Sequence, residues 1–497
     1  MMAYGEFRKG YDNDTEDTRL VYYGMRYIIE EYVSQQWTMQ DVVMADSFFK
    51  THMAPGFTDF PFPRELFVKF VEENDGYFPV TIETLPEGTC IHVRVPVYQI
   101  TAEGEYSPLV TFLETLLTMV WYPTTVATLS RRARDVVEAS FEKTSEGGKC
   151  NLLVGSRLHD FGFRGCTSVE QSIIGGCAHL LNFRGTDTMS AAYYAQFHLN
   201  GGRPVGMSVP ATEHSVMTAW GTESQAMENM IDHFGEGIFS IVMDSYDYAK
   251  ALSELLPAVV AKKQIGKGGF MVLRPDSGDP VEAVLMALHA ADKVFGSVVN
   301  KLGYKVINGA GVLQGDGIDI IVMAKIADAV AAAEFSAECV AYGMGGGLLQ
   351  RLNRDTMSFA TKLNHIVYAS GEAHDCMKQP QTDTGKFSLP GMVAVKRVDG
   401  VPTAFPKGGA GTDEVGPNDN LLRVVYDKGP VAGLMWDNFE TVRARVTVEW
   451  GALPRTAQVL SASLREKVAT KMAEQGKKPP STPVAANERA RGGESQC

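Results

Sequence analysis

Cysteine and long apolar stretches are scarce in this sequence. The seven cysteines among 497 residues are scattered and form no Cys-x-x-Cys pair, which argues against a disulfide-stapled scaffold and against a zinc site. The longest apolar stretch, residues 109–123, is interrupted by Glu114 and is too short to cross a bilayer. The N-terminus lacks the apolar segment of a signal peptide. We therefore expect a soluble, cytoplasmic protein with reduced thiols and no membrane contact.

Positive charge is scarce as well. Lysine and arginine number 46 against 59 aspartates and glutamates, and the formal net charge is −13. We expect no general affinity for nucleic acid, because neutralising phosphates requires clustered cations. A polyanionic small molecule would need a locally basic pocket. The length and the 45% hydrophobic content allow a large core and two or three folding units.

The middle of the chain repeats one pattern, in which a short apolar run ends in a polar or glycine-rich cluster. The runs are MSVPATEH (207–214), FSIVMDSYD (239–247), FMVLRPDSGDP (270–280), GVLQGDGID (311–319) and CVAYGMGGG (339–347). A helical pattern follows each run, which predicts parallel βαβ units. Polar residues placed after successive strands are typical of an α/β barrel, whose active site lies at the carboxyl ends of the strands. A doubly wound open sheet would share this pattern.

The two ends of the chain differ from the middle. The pattern predicts helices over 21–37 and 64–74, strands over 80–85 and 90–100, and a helix that resumes over 126–142 after an interruption at Pro123. Strand patterns return after about residue 359. We predict an irregular (β/α) barrel with a flanking discontinuous α+β domain. The flanking domain comprises residues 1–150 and 357–473, the barrel comprises 151–356, and 474–497 form a disordered tail.

Two motifs of the barrel region suit recognition of a flat ring. In LHDFGFRG, Phe161 comes shortly before Arg164, and an aromatic face beside a cation suits a heterocycle next to an anionic group. The ordinary alternative is a turn with a core Phe and a surface Arg. In NFRGTDT, Asp187 is either a helix N-cap or a carboxylate that accepts N–H donors and repels other carboxylates.

His214 follows one of the predicted strands in VPATEHS. A lone histidine in such a place is usually structural. Here Glu213 is adjacent, and Asp244, Asp247 and Asp276 follow neighbouring predicted strands. A histidine beside carboxylates can act as a nucleophile or a general base, because the carboxylate fixes its tautomer.

The glycine-rich and charged clusters later in the chain favour phosphate binding. RPDSGDP, QGDG and GMGGG are each ordinary turn signals alone, but together they indicate a phosphate-binding rim, since glycine lets backbone N–H groups approach the oxygens. The stretch QRLNRDTMSFATK carries Arg351, Arg354 and Lys362. These cations form either a solvated basic helix face or a polyphosphate clamp.

These segments, in this order, resemble the nicotinamide phosphoribosyltransferase family. The matching strings are WYPTTVAT, LHDFGFRG, NFRGTDT, SVPATEHS, TAWG, DSYD, RPDSG, QGDG and GGGLLQRLNRD, and the resemblance runs from about residue 4 to about residue 446. It implies the type II phosphoribosyltransferase fold, which is an irregular α/β barrel beside an α+β domain. It also implies a homodimer with active sites at the subunit interface.

The resemblance implies a role for each matching position. Phe161 would stack on nicotinamide, and Asp187 would accept the carboxamide N–H. His214 would be phosphorylated by ATP with Asp244 in support. Contacts to the ring and the ribose phosphate would come from Arg164, Arg274 and Asp276. The phosphate would be held by Gly315, Asp316, Gly345 and Gly346. Across the interface, pyrophosphate or nucleotide phosphate would be bound by Arg354, Lys362 and Arg8.

The implied reaction converts nicotinamide and phosphoribosyl pyrophosphate into nicotinamide mononucleotide and pyrophosphate in NAD salvage. Mg²⁺ would accompany phosphoribosyl pyrophosphate, with no residue assigned as its ligand, and coupled ATP hydrolysis would drive the reaction. A nicotinate phosphoribosyltransferase is one alternative, although Asp187 would repel a substrate carboxylate. Family members begin with a TDSYK-like string whose tyrosine enters the partner's site, and this chain begins near the following strand. The second alternative is therefore an N-terminally truncated, catalytically weak dimeric binding protein.

Overall fold

The computed structural model describes residues 1–52, 61–263, 265–266, 268–380, 386–407, 415–416 and 418–474. Apart from Glu474, the tail predicted at 474–497 lies outside these residues. The strands are β1 Met2–Glu6, β2 Arg19–Val21, β3 Val80–Thr84, β4 Cys90–His92, β5 Pro96–Ala102, β6 Leu158–Asp160, β7 Gly185–Thr186, β8 Ile238–Val242, β9 Phe270–Arg274, β10 Ser297–Val299, β11 Lys305–Ile307, β12 Ala310–Gln314, β13 Val340–Met344, β14 Ala360–Val367, β15 Ala373–Asp375, β16 Val393–Val398, β17 Val401–Pro406 and β18 Arg423–Asp427.

The α-helices are α1 Met25–Ile28, α2 Met39–Thr51, α3 Arg64–Glu73, α4 Leu109–Phe112, α5 Glu114–Thr118, α6 Trp121–Thr144, α7 Val169–Leu180, α8 Met189–Tyr194, α9 His214–Ala219, α10 Glu223–Phe234, α11 Tyr248–Lys250, α12 Leu256–Lys262, α13 Pro280–Phe295, α14 Ile320–Ala332, α15 Gly346–Leu349, α16 Phe439–Ala452 and α17 Ala462–Glu474. π-Helical turns are Ile29–Val33, Ala195–Leu199 and Ala251–Leu255. Short 3-10 turns are Tyr11–Asn13, Gly104–Tyr106, Gly148–Cys150, Leu152–Ser156, Phe163–Gly165, Ala337–Cys339 and Arg354–Thr356.

A curled sheet of parallel strands forms the centre of the molecule. Its order is β7-β6-β13-β12-β9-β8. The segment 207–212 joins the two edges of the sheet, because Met207 pairs with Gly185 of β7 and Ala211 pairs with Ser240 of β8. The predicted irregular barrel is therefore confirmed, and the doubly wound alternative is wrong. The strand predicted at 207–214 is also wrong as a regular strand: Pro210 has no N–H to donate, and only isolated bridges form.

A second sheet lies beside the barrel and is antiparallel, with the order β15-β14-β1-β5-β3-β18. It combines three strands from the first 102 residues with three strands from residue 360 onward. The flanking domain is therefore discontinuous, as predicted, while the proposed boundaries stay a prediction. Its core includes the buried rings of Phe67, Phe70, Tyr98 and Tyr426.

Three local predictions need correction. The helix predicted over 21–37 is instead a strand end, the short α1 and a π-helical turn, with Gly24 at a positive φ of 108° before α1. The strand predicted over 90–100 is split into β4 and β5 by a turn in which Arg94 has a φ of 75°. Pro123 does not interrupt a helix, because it lies in the first turn of α6, where its missing N–H removes no helical hydrogen bond.

Helix α6 fixes the flanking elements on the barrel. Its residues Val126, Leu129 and Phe141 are buried in the barrel core. On another face, the hydroxyl of Thr128 accepts the N–H of Val21 at 3.0 Å. Among the described residues no single helix has the length and apolar character to span a membrane, and only the pair 104–112 and 114–144, bent by 42°, reaches that length together.

Candidate functional site

The predicted site residues of the barrel gather at the carboxyl ends of its parallel strands. Phe161 follows β6, Asp187 follows β7, Arg274 ends β9, Gly315 follows β12 and Gly345 follows β13. Parallel strands point the same way, so their following loops meet at one edge of the sheet. We call this edge the barrel mouth.

Phe161 is fixed at the barrel mouth by the neighbouring strand. Its N–H donates to the carbonyl of Met344 at 3.0 Å. Its half-buried ring lies directly on Gly343 of β13, where a Cβ atom would stand only 2.2 Å from Cε2 of the ring. Only glycine leaves room for this ring, because real side chains do not tolerate such an approach.

Arg274 connects Phe161 with Asp276. Its guanidinium carbon lies 5.2 Å from the centre of the Phe161 ring, within cation–π range. Its Nη2 donates to Oδ2 of Asp276 at 3.0 Å. Gly315 lies against the same three side chains, since a Cβ there would stand 2.9 Å from Phe161 and 3.2 Å from Asp276. The aromatic and the charged halves of the predicted site are therefore adjacent.

Asp187 is exposed at the mouth and directly follows β7, which pairs with β6, the strand before Phe161. Its N–H donates to the carbonyl of Asp160 at 2.9 Å, and its carboxylate accepts a hydrogen bond from the hydroxyl of Ser208. The N-cap residue of α8 is Thr188. The interpretation of Asp187 as a helix cap is therefore wrong, and its carboxylate is open to the mouth.

His214 is the first residue of α9 and meets carboxylates from two strand ends. Its Nε2 lies 3.3 Å from Oδ2 of Asp276 and 3.9 Å from Oδ1 of Asp244. Its Nδ1 lies 3.4 Å from the hydroxyl oxygen of Ser245. The imidazole side chain is 45% exposed. The histidine is thus open to a ligand on one side and faces acids on the other.

Asp244 holds the turn that follows β9. Its Oδ2 accepts the N–H of Asp276 at 3.1 Å and the hydroxyl of Ser277. Its Oδ1 is buried and makes no hydrogen bond. Nearby Glu223 is also buried, and burial together with the charges of Asp244 and Asp247 raises the pKa of Glu223. The negative potential around His214 favours a cation or a phosphate-bound metal there.

The remaining residues of the predicted phosphate rim are exposed at the mouth. Arg164 lies in the turn Phe163–Gly165, Asp316 follows Gly315, and Gly346 is the first residue of α15. The first N–H groups of a helix have no partner within the helix, so they are open to an acceptor.

Three predicted cations lie elsewhere in this chain. Arg8 follows β1, which pairs with the strand carrying Lys362, and Arg354 pairs with Asp355 in an exposed turn. Arg351, Arg354 and Lys362 lie in a bend, a 3-10 turn and a strand, so the interpretation as one helix face is wrong. In the described part of the chain, no hydrogen bond or ion pair joins Arg8, Arg354 or Lys362 to the residues at the barrel mouth.

Three residues around the mouth were not predicted from the sequence. Ser208 binds Asp187. His159 lies inside the barrel, and burial lowers the pKa of its imidazole, with an opposing contribution from Asp187. Asp160 is fully buried behind Phe161, and burial raises the pKa of its carboxyl to about 7. No motif marked these residues, although the matching strings SVPATEHS and LHDFGFRG contain all three.

Comparison with known proteins identifies the family. The sequence profile of the nicotinate phosphoribosyltransferase (NAPRTase) family matches residues 156–429, which is over half of the chain. The chain belongs to this family. It is 36% identical over 438 residues to the nicotinamide phosphoribosyltransferase of Xanthomonas campestris pv. campestris (strain 8004), covering 86% of this chain and 89% of that protein. It is 28% identical to the nicotinamide phosphoribosyltransferase of Acinetobacter baylyi (strain ATCC 33305 / BD413 / ADP1), covering 83% and 86%.

Solved structures of the NAPRTase type share the fold. Human nicotinic acid phosphoribosyltransferase aligns with a TM-score of 0.57 at 18% identity, covering 95% of each chain. Nicotinate-nucleotide pyrophosphorylase from Pyrococcus furiosus aligns with a TM-score of 0.56 at 16% identity, covering 91% of this chain and 89% of that one. Since the NAPRTase family consists of phosphoribosyltransferases, the chain is an enzyme of the pentosyltransferase class. The alternative of a catalytically weak dimeric binding protein is not favoured.

Proposed function

We propose that this enzyme transfers the phosphoribosyl group of phosphoribosyl pyrophosphate to nicotinamide and releases pyrophosphate. The observation that carries this proposal is the exposed Asp187 carboxylate, which follows β7 beside the strand that Phe161 follows. The relatives from Xanthomonas and Acinetobacter, both named nicotinamide phosphoribosyltransferases, support the same substrate. The product is a nucleotide precursor of NAD, so we assign the reaction to NAD salvage in the cytoplasm.

Nicotinamide differs from nicotinate at one substituent, and Asp187 distinguishes the two. The pyridine ring stacks on Phe161, and the carboxamide N–H donates to the Asp187 carboxylate. Ser208 holds that carboxylate from behind through its hydroxyl. Nicotinate would bring a second negative charge to the same place, which repulsion disfavours. Nicotinamide is therefore the preferred base, and nicotinate the disfavoured alternative.

The transfer forms one bond and breaks another. The ring nitrogen of nicotinamide donates its electron pair to C1 of the ribose, and the C1–O bond to pyrophosphate breaks with its electrons leaving on the pyrophosphate. Arg164 and Arg274 bind the anionic groups of the substrate near the base, and the backbone N–H groups of Gly345 and Gly346 donate hydrogen bonds to the phosphate oxygens. Charge preorganised in this way is usually the largest catalytic contribution.

The donor atoms at the mouth suit Mg²⁺. Among the described residues, no group of three or more His, Cys, Asp or Glu side chains could hold a metal ion alone. Mg²⁺ commonly uses one or two carboxylates together with substrate phosphates and water. The buried Oδ1 of Asp244, which accepts no hydrogen bond, and the carboxylate of Asp276 would supply such ligands. When bound with the substrate, the ion would neutralise charge on the leaving pyrophosphate.

His214 supports a coupled ATP hydrolysis. Two carboxylates face Nε2, which favours the tautomer with its proton on Nε2 and a free electron pair on Nδ1. Nδ1 attacks the γ-phosphorus of ATP, the bond to the bridging oxygen breaks, and ADP leaves. Water then takes the phosphoryl group and releases phosphate. Asp276 and Asp244 stabilise the imidazole through this cycle.

A second copy of the chain would complete the site. Several exposed apolar side chains lie in the loops and helices that follow the barrel strands: Phe163, Val169, Met189, Met207, Val216 and Trp220. Exposed apolar side chains that form a contiguous patch are typical of protein interfaces. We propose a homodimer in which Arg8, Arg354 and Lys362 of one subunit bind phosphates at the barrel mouth of the other, because these cations contact no mouth residue of their own chain.

The proposal is tested by incubating the purified chain with nicotinamide, phosphoribosyl pyrophosphate and Mg²⁺. We expect nicotinamide mononucleotide and pyrophosphate in equal amounts, and a higher yield when ATP is added. An Arg274→Ala variant serves as the inactive control. The proposal fails if the folded wild-type protein forms no mononucleotide.

A further inference from the structure

Asp160 is a buried acid that has no part in the proposed chemistry. It ends β6, and its side chain is not exposed at all. Oδ1 accepts the N–H of Gly162 at 2.7 Å. Oδ2 is buried and accepts no hydrogen bond of normal geometry, although the Thr188 hydroxyl lies close enough to lower in part the carboxyl pKa that burial raises. A buried polar atom without a partner costs folding free energy, so the fold alone does not explain an acid here.

Asp160 links the two residues that we assign to the base. Its side chain closes the turn from Asp160 to Gly162 and thereby determines the direction in which Phe161 leaves β6. Its backbone carbonyl accepts the N–H of Asp187 at 2.9 Å. One residue therefore contacts the turn that presents the stacking ring and the backbone that presents the carboxylate.

The surrounding packing leaves the carboxyl little freedom to rotate. A Cβ atom on Gly176 of α7 would stand 3.1 Å from Oδ2 of Asp160, so the helix backbone lies close behind the acid. A Cβ atom on Gly162 would stand 2.5 Å from Cδ1 of Leu349, so the turn is confined from its other side as well. Close packing of this kind restricts the acid to one orientation.

We propose that the Asp160 side chain is a positioning group for the base, because its hydrogen bond to Gly162 holds the turn that presents the Phe161 ring beside the Asp187 carboxylate, in the arrangement that a planar pyridine carboxamide requires. This inference rests on the proposed function. Asp160 touches neither substrate, so its loss should weaken base binding selectively. Binding of phosphoribosyl pyrophosphate uses other residues and should change little.

Two substitutions at position 160 test the inference. Asp160→Ala removes the acceptor for Gly162, and we expect the KM for nicotinamide to rise at least about tenfold, as loss of one buried hydrogen bond implies. The KM for phosphoribosyl pyrophosphate should stay within about twofold of the wild-type value. Asp160→Asn has a side chain of the same shape and keeps an acceptor oxygen, so its KM for nicotinamide should be close to the wild-type value. An unchanged nicotinamide KM in D160A, an equal rise in both KM values, or an equal defect in D160N would overturn the inference.

Gly162→Ala provides a second route that leaves the acid in place. Its new methyl group meets Leu349 and displaces the turn, so the nicotinamide KM should again rise selectively; an unchanged value counts against the inference. If D160A does not fold, the KM values for nicotinamide of G162A and D160N test the inference instead. Failure of the proposed function is recognised separately, because the wild type would then not use nicotinamide. The same variants would in that case be compared with the base that the wild type accepts.

Discussion

The guanidinium of Arg274 lies 5.2 Å from the centre of the Phe161 ring and also donates to Asp276, whose carboxylate is 3.3 Å from His214. A continuous set of side chains therefore connects the surface proposed for the base with the histidine proposed for ATP coupling. Disturbing either end should affect a separate part of the reaction, since each end has its own ligand.

Selectivity for the amide should depend on Asp187. We expect Asp187→Ser to lower the ratio of kcat/KM for nicotinamide over nicotinate by about 10- to 100-fold, because the variant loses an acceptor for the amide and a repulsion against the acid. Asp328→Ser, the same exchange on the exposed face of α14, is the control. An unchanged ratio in D187S would remove the role assigned to Asp187.

ATP stimulation should depend on His214. We expect His214→Ala to transfer phosphoribosyl groups at the rate that the wild type shows without ATP, and to take up no label from γ-labelled ATP. His233→Ala, at an exposed histidine of α10, should keep the stimulation and the label. Full stimulation in H214A would exclude the phosphohistidine.

Sharing of the site between subunits is testable by mixing variants. Arg274→Ala alters the barrel mouth and Arg354→Ala alters the flanking cations, so each variant alone should be nearly inactive. A mixed dimer of the two has one intact site, and a co-expressed mixture should recover about one quarter of the wild-type activity. A mixture of R354A with Lys362→Ala should recover nothing. No recovery in the first mixture would mean that each site belongs to one chain.

Asp160 should make the stability of the protein depend on pH. Burial raises the pKa of its carboxyl from 3.8 to about 7, so the folded state holds the proton more tightly than the unfolded state. The contribution of this carboxyl to the free energy of unfolding has its full value below about pH 4 and decreases as the pH rises to about 7. Above that pH it does not change further. The Asn side chain of D160N does not ionise, so the variant does not lose stability in this way as the pH rises. Its Tm should therefore exceed the wild-type Tm by more at pH 8 than at pH 5. An equal difference at both pH values would contradict the assignment.

The barrel was predictable because its strands carry a strong local pattern. Strands β8, β9, β12 and β13 are apolar runs that end in polar clusters, and the structure confirms each of them. The closing segment 207–212 was not predictable as irregular, because its pairing with both sheet edges depends on the curvature of the whole sheet. The turn at Arg94 was missed for a related reason, since alternating apolar residues continue through it.

The site was predictable in part. His214, Asp244 and Asp276 could be expected to meet, because parallel strands bring their carboxyl ends together. The roles of Ser208 and Asp160 could not be predicted, because their hydrogen bonds to Asp187 and Gly162 depend on loop positions that no local pattern specifies.

The central claim is that nicotinamide is the base. It is tested most directly by measuring kcat/KM for nicotinamide and for nicotinate with the purified wild-type enzyme at saturating phosphoribosyl pyrophosphate, Mg²⁺ and ATP. We predict that nicotinamide is preferred by at least about 100-fold, as a site built around an acceptor for N–H implies. Equal use of the two bases, or faster formation of nicotinate mononucleotide, would contradict it.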